Sequence, residues 1–117
     1  MKKNKKLIFD TNWIINCAKY KYYELFFNLI NKYECFVLDR TIRELEKAGI
    51  YKPQVKFLLE QLEKKAKIIK AKRYVDKEIL KLAKEKAVEA VATFDKELIK
   101  KLKKANEMIE IIKSKSE

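Results

Sequence analysis

The chain has 117 residues, 48% of them hydrophobic and 39% charged, with a net charge of +12. That is the make-up of one folded domain and excludes a disordered tail or a membrane protein. One glycine (Gly49), one proline (Pro53) and no histidine exclude collagen, flexible linkers, glycine-rich phosphate loops and most zinc chemistry. Residues 1–117 are expected to form a single domain, with the basic residues 1–5 and the polar end 113–117 flexible.

The first predicted strand spans 6–10. Lys5 and Lys6 lead straight into its apolar run Leu7-Ile8-Phe9, far short of the ~18 residues that span a bilayer. Neither a leader nor a membrane span is expected, and a reducing cytoplasm is the expected compartment. Cys17 and Cys35 form no CxxC pair and sit among apolar residues, so both read as small buried hydrophobes. Further strands are predicted at 35–39, 67–70, 90–93 and 108–112, with helical periods between them. Val55, Leu58, Leu59, Leu62 and Ala66 share one helical face, and Pro53 suits that helix's first turn. Ile79, Leu80, Ala83 and Ala87 form the next such face, and Leu98, Ile99, Leu102 and Ala105 the last. This alternation predicts an α/β layered domain with a mainly parallel sheet. In such sheets ligands bind beyond the carboxyl ends of the strands, at the topological switch point.

Twenty-nine cationic residues against 17 acidic ones suggest a polyanionic partner, nucleic acid first. Only Arg40, Arg43 and Arg73 are arginine, which favours lysine contacts to phosphate over bidentate base readout. The same Lys/Glu richness also marks proteins adapted to high temperature.

Only four of the 17 acids are aspartate: Asp10, Asp39, Asp76 and Asp95. Asp10 closes the first strand, where a carboxylate after a buried run is costly unless paired, capped or metal-bound. If Thr11 and Asn12 cap the following helix, Asp10 is left to face the crevice. Asp95 follows the fourth strand at the same sheet edge, Asp76 opens the helix before it, and Glu44 lies just after the second strand. Each also has a structural reading. Thr41-x-x-Glu44 spells a capping box, and Asp39 suits a solvated turn or a pairing with Arg40 or Arg43. Asp76 and Asp95 suit N-caps, with hydrophobic staples Val75/Leu80 and Phe94/Ile99. Taken together, acids at strand ends and helix starts can converge on one crevice, where repulsion raises their pKa values unless a cation sits among them. Hard oxygen ligands without His or Cys select Mg²⁺ or Mn²⁺, and a lysine-rich exterior attracts a phosphate backbone.

At these residues the sequence resembles a PIN domain, the ribonuclease fold of VapC-type toxins and rRNA-processing endonucleases. The resemblance spans residues 6–112. It is carried by Phe9-Asp10-Thr11-Asn12, Val37 to Glu44-Leu45, Val75-Asp76-Lys77-Glu78-Ile79-Leu80 and Val91-Ala92-Thr93-Phe94-Asp95-Lys96-Glu97-Leu98. The last motif is closest to the archaeal branch. The resemblance implies a three-layer α/β/α domain with a central, mainly parallel sheet of four or five strands. It implies Asp10, Glu44, Asp76 and Asp95 as catalytic, metal-binding acids, with Thr11, Asn12 and Thr93 as supporting polar groups. The implied activity is Mg²⁺- or Mn²⁺-dependent endonucleolytic cleavage of RNA (rRNA, tRNA or mRNA) by activated water. Implied partners are an antitoxin protein, the ribosome or a second copy of the chain. Two features depart from the family pattern: Phe94 replaces a small polar residue, and Lys86-Ala87-Val88-Glu89 lacks the usual glycine. A non-catalytic RNA-binding or ribosome-assembly protein with this fold needs the same charge and no metal. A receiver-like signalling domain needs an acid after the third strand, where Ile68-Ile69-Lys70-Ala71-Lys72 has none.

Overall fold

The computed structural model describes residues 4–113; those of the predicted flexible ends at 1–3 and 114–117 lie outside the described residues. In chain order the elements are β1 (Lys6–Phe9), α1 (Thr11–Tyr20), α2 (Tyr23–Lys32), β2 (Glu34–Leu38), α3 (Asp39–Gly49), α4 (Pro53–Lys65), β3 (Lys67–Ile69), α5 (Val75–Lys84), β4 (Ala90–Ala92), α6 (Lys96–Ala105) and β5 (Glu110–Ile112). The strands form one sheet in the order β3-β2-β1-β4-β5, every pairing parallel. The chain runs outward from β1 to β3, then crosses back to β4. The switch point therefore lies between the carboxyl ends of β1 and β4.

Strand alternation divides the core into two layers. Leu7, Phe9, Cys35, Val37, Ala90 and Ala92 face one side, under Trp13, Ile14, Phe26, Leu45, Leu58 and Leu62 of α1–α4. Ile8, Leu38 and Val91 face the other, under Ile79 and Ala83 of α5 and Leu98 and Leu102 of α6. This is the three-layer α/β/α arrangement expected, with five strands. Among the described residues no helix is long and apolar enough to cross a membrane.

Cys17 and Cys35 are buried and free, and burial pushes both thiols up to about 12. Lys5 Nζ reaches Glu110 Oε1 at 3.6 Å, and the Lys113 carbonyl accepts from Trp13 Nε1 at 3.2 Å. The first contact ties Lys5 to β5 and the second ties Lys113 to α1.

Element ends differ from the sequence expectation where local bonding takes over. Asp10 and Asp39 are not strand residues: the first is the N-cap of α1 and the second the first residue of α3. The last strand starts at Glu110 because Asn106 Oδ1 accepts from the Met108 amide at 3.1 Å, which turns Met108 out to 88% exposure. Ala87 lies beyond α5 and is exposed. Its amide donates to Leu82 O at 2.8 Å and the Lys86 amide to Ala83 O at 3.0 Å. Lys86 itself takes φ = 60°. This is the paired bonding of a Schellman cap with lysine where glycine is usual. Lys86 thus holds, under strain, the left-handed position that glycine usually takes. Lys86→Gly is expected to stabilise the fold by about 0.5–1 kcal/mol, read as a rise of a few degrees in Tm.

Candidate active site

Asp10 is carried to the switch point by the β1–β4 pairing: its amide donates to Ala92 O at 2.9 Å, and its carbonyl accepts from Trp13 N at 3.1 Å. It holds the N-cap backbone position, yet its carboxylate makes no capping bond to α1. Instead Asp10 Oδ2 accepts from Thr93 Oγ1 at 2.8 Å. The Asp95 amide donates to the same Thr93 oxygen at 3.1 Å, so Thr93 links the acids that follow β1 and β4. Asp95 is a true N-cap, with Oδ1 accepting from the amides of Glu97 (3.0 Å) and Leu98 (3.1 Å).

Three expected caps do not form. Thr11 and Asn12 do not cap α1, because the helix starts at Thr11 itself. The capping box at Thr41 and Glu44 is absent, because α3 begins two residues earlier and buries Thr41 in its first turn. Glu44 turns toward α1, where Thr11 Oγ1 donates to Glu44 Oε1 at 2.6 Å and shares a 2.9 Å hydrogen bond with Thr41 Oγ1. Asp76 does not cap α5. The N-cap is Tyr74, and Asp76 Oδ1 accepts only from the next amide, Lys77 N, at 2.9 Å.

The outcome is one cavity of about 440 Å³ lined by Asp10, Glu44, Asp76 and Asp95 together with Thr11, Asn12, Ile15, Tyr74 and Val75. Four carboxylates from four separate elements share it. Asp10 lies deepest, 9% exposed. Burial raises its pKa above the ordinary carboxylate range, the Thr93 hydrogen bond opposes this, and the Asp95 and Glu44 charges raise it further.

Two acids outside the cavity hold its rim. Asp39 Oδ1 accepts from the Ala71 amide at 2.9 Å, a bond that with Arg40 and Arg43 keeps its pKa below the ordinary value. Glu78, buried in the first turn of α5, accepts from the Lys72 amide at 3.4 Å. Both bonds fasten the segment between β3 and α5 that carries Tyr74. Tyr74, Glu78 and this use of Asp39 were not anticipated from sequence, since each depends on contacts across that loop.

For a hard divalent cation the chemistry of the donor set fits: oxygen ligands only, one of them desolvated. The geometry is loose, because among the described residues no three His, Cys, Asp or Glu side chains are close enough to hold a metal ion.

No protein-family model and no curated protein matches the chain. Among solved structures, the PIN domain endonuclease Utp24 superposes with a TM-score of 0.71 and 27% identity, over 91% of this chain and 82% of that one. The fold is that of a PIN domain. A domain of a functionally unknown protein from Methanocaldococcus jannaschii DSM 2661 shares the same fold, with a TM-score of 0.61 and 20% identity over 97% of this chain and 94% of that one. Within this fold the departure at Phe94 has a packing role: its ring stacks on Trp13, centroids 6.3 Å apart and planes 18° from parallel.

Proposed function

We propose that the chain is a metal-dependent endoribonuclease of the PIN type. The observation that carries this reading is the gathering of Asp10, Glu44, Asp76 and Asp95 into one cavity at the switch point of a strongly basic protein. The likeness to an endonuclease at 27% identity supports it. Asp10 is the central acid, with Glu44, Asp76 and Asp95 around it as further ligands. Thr93 holds the Asp10 carboxylate and Thr11 holds Glu44, each leaving the acid directed toward the cavity. Asn12 supplies a further polar group at the mouth. Mg²⁺ or Mn²⁺ bound here would lower the pKa of a water and neutralise charge on the phosphoryl group. Surface lysines hold the phosphate backbone of the RNA. The motif match favours ribosomal RNA processing, in the cytoplasm and next to the ribosome. A VapC-like toxin acting on tRNA, rRNA or mRNA would instead be paired with an antitoxin and dimerise.

A non-catalytic RNA-binding or ribosome-assembly protein is the second reading, favoured by the absence of a tight three-acid cluster among the described residues. Incubating purified protein with structured RNA separates the two. Cleavage is expected with Mn²⁺ supplied and none with the metal chelated. An inert protein whose calorimetric titration shows no Mn²⁺ site would leave the binding role standing and remove the nuclease.

A further inference from the structure

Beside the acidic cavity lies a second groove, of about 610 Å³, lined by Arg73, Lys77, Leu80, Lys81, Lys84 and Glu85. Arg73 and Lys77 line the basic groove, while Tyr74, Val75 and Asp76, between them in sequence, line the acidic one. Lys77, Lys81 and Lys84 recur at i, i+4 and i+7, one face of α5 over roughly 10 Å. Lys81 is paired with Glu85 at 3.2 Å, which leaves Arg73, Lys77 and Lys84 as the groove's cations without an ion pair among the described residues. At the junction stands Tyr74, 69% exposed, an aromatic ring with no core to fill. The Arg40 guanidinium lies 5.4 Å from its centroid, and Arg40 Nε has no hydrogen-bond partner among the described residues. A braced, exposed ring next to a row of cations is the arrangement that binds single-stranded nucleic acid, where bases stack and phosphates track a basic groove.

We infer that single-stranded RNA reaches the acidic cavity along α5, its phosphates on Arg73, Lys77 and Lys84 and one base stacked on Tyr74. This names the substrate form and its path, and it rests on the nuclease reading. A duplex presents neither a free base face nor a strand that can bend into the cavity.

The test measures binding apart from cleavage, in an Asp10→Asn background, with a fluorescently labelled unstructured RNA titrated across a salt series. The combined change Arg73→Gln, Lys77→Gln and Lys84→Gln is expected to make the log affinity–log salt slope shallower by about 2, from three lost phosphate contacts at roughly 0.7 each. Tyr74→Ala is expected to weaken binding about tenfold or more with the slope unchanged, and Tyr74→Phe to restore it. All these positions are exposed, and matching melting curves check that the variants fold. An unlabelled duplex should compete poorly. Unchanged slope and affinity in the variants, or duplex binding as tight as single-strand binding, overturns the α5 track without touching catalysis. Variants that behave as expected in a protein whose native form never cleaves RNA would instead sink the nuclease reading and leave the track in place.

Discussion

Asp10→Asn is expected to melt at a higher temperature than the native chain while cleaving RNA roughly a thousandfold more slowly, the scale of losing one preorganised electrostatic group. The two effects share one cause. Asp10 sits in a site that raises its pKa through burial and through the charges of Asp95 and Glu44, and the Thr93 hydroxyl and the Thr11 amide only partly compensate. An amide is nearly isosteric, still accepts from Thr93 through its oxygen, and carries neither the desolvation cost nor the repulsion. Relief on the order of 1 kcal/mol corresponds to about 4 °C for a domain of this size. The pH dependence has a definite sign. With the folded pKa above the unfolded one, the native chain keeps its full stability below the unfolded value of about 3.9 and loses some as pH rises through the folded pKa. The melting gap between variant and native chain should therefore vanish in acid, open as pH climbs past the ordinary carboxylate range, and level off above the raised pKa. Excess Mn²⁺ should close the gap and then reverse it by stabilising only the native chain, by about 2.7 kcal/mol at a hundredfold excess over Kd. A variant that melts at or below the native temperature at neutral pH without metal would show that Asp10 is a structural acid. A variant that still cleaves would remove it from the chemistry.

Reading the sequence brought forward the acids that line this cavity better than it explained the bonds around them. The strand cores were legible because short apolar runs bounded by polar residues have few alternatives. Asp10 and Asp95 stood out because a carboxylate directly after such a run needs a reason. Local cap signatures were less reliable, since each competes with a partner far away in sequence. Thr41 and Glu44 have capping-box spacing, yet Thr11, 30 and 33 residues away, takes both. Asp95 has no such competitor and caps as its sequence suggests. Tyr74 carries no periodic signal. Its place depends on a loop fastened by Asp39 to Ala71 and by Glu78 to Lys72, contacts visible only once the segment after β3 folds onto the start of α3 on one side and onto α5 on the other. Asp39 thus serves the cavity without lining it, a role that the choice of aspartate alone does not reveal.

Trp13→Ala is expected to have the largest effect on stability of any single change in the chain. The indole is fully buried, lies 5.5 Å from Phe9 and 6.3 Å from Phe94 between ring centroids, and donates Nε1–H to the Lys113 carbonyl at 3.2 Å. Truncation removes the transfer energy of a large aromatic, leaves a cavity under α1 and frees a carbonyl just beyond β5, about 3–5 kcal/mol together. Set against a typical total of about 5–15 kcal/mol, that lowers Tm by roughly 10–20 °C. Trp13→Phe keeps much of the ring packing and loses the hydrogen bond, so it should cost only about 1–2 kcal/mol. The change also reaches the site. Phe94 lies between Thr93, which holds the Asp10 carboxylate, and Asp95, which caps α6, and Trp13 is the ring it leans on. Losing that support should loosen the Thr93–Asp10 bond before the sheet itself opens. Urea unfolding followed at the backbone should then give the large shift for alanine and the small one for phenylalanine. Hydrogen exchange should show the amides of Asp10, Thr93 and Asp95 opening earlier than those of β2 in the phenylalanine variant. Equal midpoints for the two variants would mean that the hydrogen bond to Lys113, not the packing, is what Trp13 contributes.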